Sequence, residues 1–246
     1  MTLRANSSER TKKFLFVLAH PEPASFTSSL ARYGMLALEQ AGHSIEVSDL
    51  YATGFDPVSD RRNFTSTANP ERYDQQVEER LASDTSGYSD ELQREMDKLA
   101  ECDVLILQFP IWWLGMPAIM KGWIDRVFAI GRTYGGGRWF DRGIMRGKRA
   151  MLAVTIGGTE QAYSIDGIYG PVSDVLRPIN HGILAFCGFE VVEPFIAYAP
   201  ARKSDEERQA NFTAYVERLL TIDSAPTLPM ACSYDYEHFV LKRRAA

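Results

Sequence analysis

The sequence predicts an α/β protein built on a doubly wound, five-stranded parallel sheet with helices on both faces. Several short apolar runs have the length and composition of strands that are buried on both faces. Segments with apolar residues at helical spacing alternate with these runs. Because strand and helix alternate along most of the chain, we expect right-handed crossovers and a parallel sheet.

The first half of the chain predicts two strands, one helix and a long connection. Residues 14–19 (FLFVLA) form a continuous apolar run, and residues 26–40 carry apolar side chains at helical spacing before Gly42. Residues 44–50 (SIEVSDL) alternate as a more exposed strand does. The polar segment between residues 50 and 90 is either a functional loop or a flexible insertion.

The second half continues the alternation. A helix at residues 90–101 leads into a buried strand at 104–107 (VLIL), and Pro117 fits the start of a helix that runs to about residue 128. The remaining predicted elements are a buried strand at 150–156, a helix at 172–187, a strand at 190–196 and a helix at 204–220.

Composition and charge exclude several classes of protein. The 246 residues carry a formal net charge of -5, and their basic residues are scattered, so we predict no nucleic-acid partner. The three cysteines, Cys102, Cys187 and Cys232, are odd in number and far apart. This spacing argues against a disulfide framework, a dithiol motif or a zinc site, so we expect no metal and a reducing, cytoplasmic location.

From the sequence we expect neither a targeting signal nor a membrane-spanning segment. Residues 1–12 are polar and basic without an apolar centre, which predicts a disordered leader and not a signal peptide. The longest apolar stretch, residues 104–120, is interrupted by polar residues, glycine and proline, so we predict no integral membrane segment. We therefore expect one domain at residues 13–222 and a C-terminal tail at 223–246.

The turn after the first strand has the composition of a phosphate site. Hydroxyl side chains at Ser25, Thr27 and Ser29 would gather with free N–H groups at the positive end of a helix dipole. The spacing is neither that of a P-loop nor G-x-G-x-x-G, so nucleotide hydrolases and standard dinucleotide folds are disfavoured. The alternative is a plain serine N-cap beside a turn that contains His20.

Two further turns suggest a planar ligand. Pro110-Ile111-Trp112-Trp113-Leu114 places two tryptophans directly after a buried strand, where a flat heteroaromatic ring would pack, although ordinary core or subunit packing is the alternative. Thr155-Ile156-Gly157-Gly158 lets backbone N–H groups approach a developing anion, with Tyr163 nearby, but a glycine pair alone is often only a turn. A planar ligand together with a phosphate suggests a flavin nucleotide.

Several motifs in fixed order identify a resemblance that spans residues 13 to about 220. The sequence resembles the mammalian-type NAD(P)H:quinone oxidoreductases, enzymes with a flavodoxin-like fold. The resemblance implies the strand order 2-1-3-4-5. The matching motifs include Val17-Leu18-Ala19-His20, Gln108-Phe109-Pro110, Lys121-Gly122-Trp123, Gly157-Gly158 and Phe186-Cys187-Gly188-Phe189.

The resemblance implies FAD as cofactor, with NAD(P)H as co-substrate and ping-pong hydride transfer to a quinone. Arg208 matches an arginine near the adenosine half, which favours FAD over FMN. The family's FAD contacts correspond here to His20, Ser25, Phe26, Thr27 and Ser29 at the pyrophosphate, to Pro110, Ile111, Trp112, Trp113 and Leu114 along the isoalloxazine, and to Thr155, Ile156, Gly157, Gly158 and Tyr163 at its polar edge.

Two departures from the family concern catalysis and the substrate pocket. The family's catalytic proton-handling pair is a tyrosine, here Tyr163, and a histidine six residues later, where this chain has Tyr169. Tyr134 matches one of two gating tyrosines, and Arg132 stands at the other position. With Trp113 and Leu114 these residues would form the quinone pocket, which the resemblance implies lies at the interface of a homodimer.

Other functions remain open at this point. A flavin-binding ancillary subunit of a transporter is one alternative, because Tyr169 weakens the case for rapid turnover. An azo-compound or nitro-compound reductase is another, since one reduced flavin serves several electrophiles. A one-electron carrier is disfavoured because the tryptophan-rich turn points to a substrate pocket.

Overall fold

Five parallel strands form the central sheet of the computed structural model, which describes residues 11–242. Residues 1–10, and with them most of the predicted leader, lie outside the described part of the chain. The strand order β2-β1-β3-β4-β5 confirms the predicted doubly wound sheet. The strands are β1 (Lys13–Leu18), β2 (Ser44–Asp49), β3 (Val104–Pro110), β4 (Arg149–Ile156) and β5 (Glu190–Tyr198).

Helices cover both faces of this sheet. On one face the first and the last helix pack closely: a Cβ on Gly34 would lie only 2.5 Å from the Leu219 side chain. The other face carries the larger core, which includes Leu92, Trp123 and Leu176. The helices are α1 (Phe26–Gln40), α2 (Gln75–Thr85), α3 (Asp90–Glu101), α4 (Ala118–Val127), α5 (Val172–Ile179) and α6 (Asp205–Leu220).

The connection between β2 and α3 is folded onto the body of the protein. Two consecutive buried carboxylates of α2 tie it down: Glu78 accepts from the Ala68 N–H (2.6 Å), and Glu79 accepts from the Ile130 N–H (2.8 Å). Burial raises the pKa of Glu79. The sequence did not predict helix α2, because its segment, QQVEERLASDT, has few apolar residues and is anchored largely by charged side chains.

The predicted helix at residues 172–187 is not regular. Helix α5 ends at Ile179 and is followed by a π-helical segment at Asn180–Ala185. Pro178 lies inside α5 and has no N–H to donate to the preceding turn. A π-helical turn next to such an interruption lets the backbone continue to Phe186 with changed register.

The C-terminal tail follows the edge of the sheet. The Leu228 N–H donates to Val191 O (2.7 Å), and the Glu193 N–H donates to Pro226 O (3.0 Å). Beyond it, β6 (Tyr236–Glu237) and β7 (Val240–Leu241) form a short antiparallel hairpin. Within residues 11–242, no helix has the length and hydrophobicity needed to cross a bilayer.

Arg126 of α4 anchors the start of the β2–α3 connection from within the protein. This side chain is 4% exposed, and it donates to Asn63 Oδ1 (2.8 Å) and to the Asp56 carbonyl, and pairs with Glu91 (3.1 Å). Replacing it with Met leaves those acceptors without a donor, so we expect Arg126→Met to lower the free energy of unfolding by about 2–4 kcal/mol. Urea denaturation measures this loss.

The matched control is Arg62→Met, which removes an arginine that pairs with Asp56 and Asp60 at the surface. We expect little change in stability for this variant, because exposed ion pairs contribute little. Equal effects of the two substitutions would contradict the anchoring role of Arg126.

Candidate functional site

The three turns singled out in the sequence meet at one cavity of about 350 Å³ at the carboxyl ends of β1, β3 and β4. Open parallel sheets bind ligands at this edge, where the strand order reverses. The predicted residues that line the cavity are His20, Ser25, Phe26, Thr27, Pro110, Ile111, Trp112, Thr155, Ile156 and Gly157.

The turn after β1 presents the N-terminus of α1 to this cavity. Ser25 caps the helix, since its Oγ accepts from the Ser28 N–H (3.1 Å). Helix geometry leaves the N–H groups of Phe26 and Thr27 without intrahelical acceptors, and the first turn holds no acidic side chain. This end of the helix therefore attracts an anion.

His20 adds a donor beside the same turn. Its Nδ1 accepts from the Glu22 N–H (3.0 Å), which leaves Nε2 as the donor of the ring. The ring centroid lies 6.4 Å from that of Trp112. The imidazole thus stands between the anion-binding turn and the aromatic segment.

The tryptophan-rich turn is a strained hairpin. Trp112 and Gly115 exchange two backbone hydrogen bonds of 3.0 Å each, and the central residues Trp113 and Leu114 have φ of 51° and 56°. Positive φ at both central positions is the pattern of a type I′ turn, which favours Asn and Gly. The Trp113 side chain is fully exposed and, like that of Leu114, does not line the cavity.

The turn after β4 offers open backbone and a tyrosine pair. A Cβ on Gly157 would meet nothing within 4 Å, whereas one on Gly158 would lie 2.9 Å from the Tyr163 ring. Tyr163 stacks on Tyr169 with ring centroids 4.9 Å apart. Burial, and then the neighbouring Tyr169, raise the pKa of Tyr163, so its phenol stays protonated at neutral pH.

A second cavity, of about 580 Å³, adjoins the first. The two share Phe26, Pro200 and Ala201, and Ser29 and Arg208 line the second cavity. Arg208 donates to Lys203 O (2.6 Å) and pairs with Asp205. The cation therefore borders a space that continues directly from the anion-binding turn.

Sequence reasoning missed one wall of the site. The segment from Ala199 to Arg202 lines the first cavity, with Ala199 at φ 45° and its N–H bonded to Ile156 O (2.7 Å). Ala199, Pro200 and Ala201 carry no chemical signal, and Arg202, which also lines the cavity, could not be told from the other scattered basic residues. The position of the segment after β5, at the ligand-binding edge, was the available clue.

Two further predicted pocket residues, besides Trp113 and Leu114, lie away from the cavity. Tyr134 packs on Phe186 with ring centroids 5.8 Å apart, and burial raises its pKa. The Arg132 guanidinium lies 5.5 Å from the centroid of the Tyr88 ring. Their assignment to a substrate pocket stays a prediction, because within one chain neither residue lines the cavity. Among residues 11–242, no group of His, Cys, Asp or Glu has the geometry of a metal site.

Comparison with known proteins gives consistent relatives over most of the chain. Residues 12–221 match a family described by its flavodoxin-like fold. The human ribosyldihydronicotinamide dehydrogenase [quinone] is 38% identical over 92% of this chain and 98% of its own length. The NAD(P)H dehydrogenase [quinone] 1 of Cavia porcellus is 38% identical over 87% of this chain and 79% of its own length.

Solved structures agree with these relatives. A Klebsiella pneumoniae protein solved as a candidate quinone reductase is 37% identical, with a TM-score of 0.84 over 89% of this chain and 88% of that chain. The general stress protein 14 of Treponema denticola, solved in complex with FMN, is 25% identical, with a TM-score of 0.54 over 86% of this chain and 98% of that chain.

The strain at the tryptophan-rich turn should lower the free energy of unfolding by an amount that can be measured. Replacing Trp113-Leu114 with Asn-Gly supplies residues that accept positive φ, so we expect the double variant to raise the free energy of unfolding of the ligand-free protein by about 1–2 kcal/mol. Trp113→Ala, which keeps a non-glycine residue at φ 51°, serves as the control and should gain much less. Urea denaturation decides between them, and a less stable Asn-Gly variant would contradict the strain.

Proposed function

The chain belongs to the flavodoxin-like family that includes the NAD(P)H dehydrogenases [quinone], and from that membership we propose that it is a flavin-dependent NAD(P)H:quinone oxidoreductase. One observation carries the proposal. An anion-binding helix end, an aromatic segment and an open glycine backbone border a single cavity. These are the three surfaces that a phosphorylated, planar cofactor needs.

The residues fit a flavin nucleotide at each part of the molecule. The N-terminus of α1, with Ser25, Thr27 and His20, would hold the phosphate. Trp112 borders the space for the ring system, and the open backbone at Gly157 leaves room for its polar edge. When bound, a flavin accepts hydride from NAD(P)H and passes it to a quinone, in ping-pong order.

The chain's own groups would support this chemistry by position and by charge. The backbone N–H of Gly157, which lies beyond the end of β4, would stabilise negative charge without any reorganisation. The protonated phenol of Tyr163 would be available to donate a neutral hydrogen bond at the same edge. Thr27 Oγ1 lies 2.8 Å from Thr155 Oγ1, which keeps the phosphate end and the ring end of the site in fixed relation.

Anaerobic mixing tests the proposed activity. We expect the flavin-loaded protein to lose its yellow colour with NADH or NADPH and to regain it when a quinone is added. The control is the same flavin with heat-unfolded protein, which should stay yellow. A protein that binds neither FAD nor FMN, or a bound flavin that stays yellow, would contradict the proposal.

FAD is the form of flavin that the second cavity supports. Its volume of about 580 Å³ and its cationic Arg208 suit a nucleotide extension beyond the first phosphate. We expect Arg208→Met to raise the Kd of FAD about tenfold, from loss of one charge-assisted contact, and to leave the Kd of FMN nearly unchanged. Fluorescence titration measures both constants.

The matched control for that experiment is Arg218→Met. Arg218 lies on the same helix and donates to Glu193 O (2.9 Å) away from both cavities. It should change neither constant. Equal weakening of FAD and FMN by Arg208→Met would contradict the assignment of the second cavity to the adenosine half.

The Tyr163–Tyr169 stack makes a prediction about pH. An imidazole has a pKa near 6.5 and becomes positively charged below it, whereas a phenol does not. We therefore expect Tyr169→His to accelerate flavin reduction by about tenfold or more below that pH. The gain should fall as pH rises and the imidazolium is lost. Stopped-flow rates between pH 5.5 and about 8 measure it. Tyr169→Phe is the control with a flat profile, and identical profiles for the two variants would rule out this role.

We further propose a homodimer in the cytoplasm. Large apolar side chains around the site are exposed in one chain, among them Trp113, Ile165 and Ile168 at 102%, 79% and 88%. A second subunit would cover such a patch. The second subunit would also bring its own Tyr134 towards the flavin of the first, as the family resemblance implies. Sedimentation of the unaltered protein as a monomer would contradict the dimer, and secretion of the protein would contradict the location.

A further inference from the structure

Gln108 is a polar side chain in the middle of the sheet, with no exposed surface. It lies on β3, and both ends of its amide are bonded. Nε2 donates to Thr27 O at 3.1 Å, and Oε1 accepts from the Tyr215 hydroxyl at 2.7 Å. Tyr215 belongs to α6 and is likewise fully buried. The amide therefore links the C-terminal helix to the first turn of α1.

The direction of these bonds follows from chemistry. A backbone carbonyl only accepts, so the end of the Gln108 amide that faces Thr27 O has to be the NH₂ group. The oxygen then faces Tyr215, whose hydroxyl has to donate. Burial raises the pKa of Tyr215 well above its usual range, so the phenol remains a donor at any physiological pH. The Thr27 carbonyl thus fixes which way the amide points, and the tyrosine hydroxyl supplies the donor that the amide oxygen then needs.

The amide in turn holds the anion-binding turn. Thr27 lies in the first turn of α1 and is held from two strands: its carbonyl by Gln108 of β3, and its hydroxyl by Thr155 of β4 at 2.8 Å. Phe26 and Thr27, whose N–H groups have no intrahelical acceptor, belong to the same turn and line the cavity. Their position depends on where Gln108 holds the turn.

We propose that Tyr215 is a positioning residue for the cofactor phosphate, acting through Gln108 on the first turn of α1. This inference rests on the proposed flavin function. Without the hydroxyl, Gln108 Oε1 would be a buried acceptor with no donor, and the amide could turn away from Thr27. The aromatic ring of Tyr215 would still pack on Gly34, so the contact between α1 and α6 survives.

Tyr215→Phe, compared across three flavins, tests the proposal. FMN and FAD carry phosphate and riboflavin does not, so we expect the variant to raise the Kd of FMN and FAD about fivefold to tenfold and to leave that of riboflavin unchanged. The control is Tyr33→Phe, which removes a hydroxyl from a half-exposed tyrosine on α1 and should change none of the three constants. A role confined to stability would weaken all three flavins alike, and that result would overturn the proposal.

A double-mutant cycle with Gln108→Met tests the route. If Tyr215 acts through Gln108, the double variant should bind FMN no more weakly than Gln108→Met alone. Additive losses would overturn the route through the amide. An unaltered protein that binds no flavin would contradict the proposed function itself, whereas equal FMN binding by the unaltered protein and Tyr215→Phe would overturn only the positioning role.

Discussion

Parallel pairing of β1, β3 and β4 is the constraint on which the site depends. Leu18 pairs with Gln108, and Gln108 pairs with Ala153, so the three strands end at nearly the same level. Hydrogen bonds extend this register into the turns, from the Ala19 N–H to Gln108 O (3.0 Å) and from the Ile111 N–H to Thr155 O (2.9 Å). Each turn therefore starts beside the next, and residues far apart in sequence line one cavity.

Rigid support and local strain occupy different parts of this edge. The first turn of α1 is held by buried, hydrogen-bonded side chains, which fix a helix terminus in one place. The tryptophan-rich turn has two central residues at positive φ, which costs stability. Contacts with a ligand or a partner surface would offset that cost. The proposed cofactor would thus be held firmly at its phosphate, with a projecting aromatic turn beside its ring.

Sequence patterns were sufficient for the sheet and for the positions of the three turns. Continuous apolar runs predict the buried strands, and the family resemblance then implies the strand order. Helix α2 was missed because buried Glu78 and Glu79 anchor it, and a carboxylate in a sequence looks like a surface residue. The link between Gln108 and Tyr215 joins residues 107 positions apart, so no local pattern reveals it. Nor does local pattern show that Arg132 turns towards Tyr88 and α3.

A crystal structure of the flavin-loaded protein would decide whether the three turns hold one cofactor. We expect the ring system beside Trp112 and Gly157, and the phosphate within hydrogen-bond distance of the Phe26 and Thr27 N–H groups. A flavin bound elsewhere on the molecule, or one whose phosphate makes no contact with the first turn of α1, would contradict it.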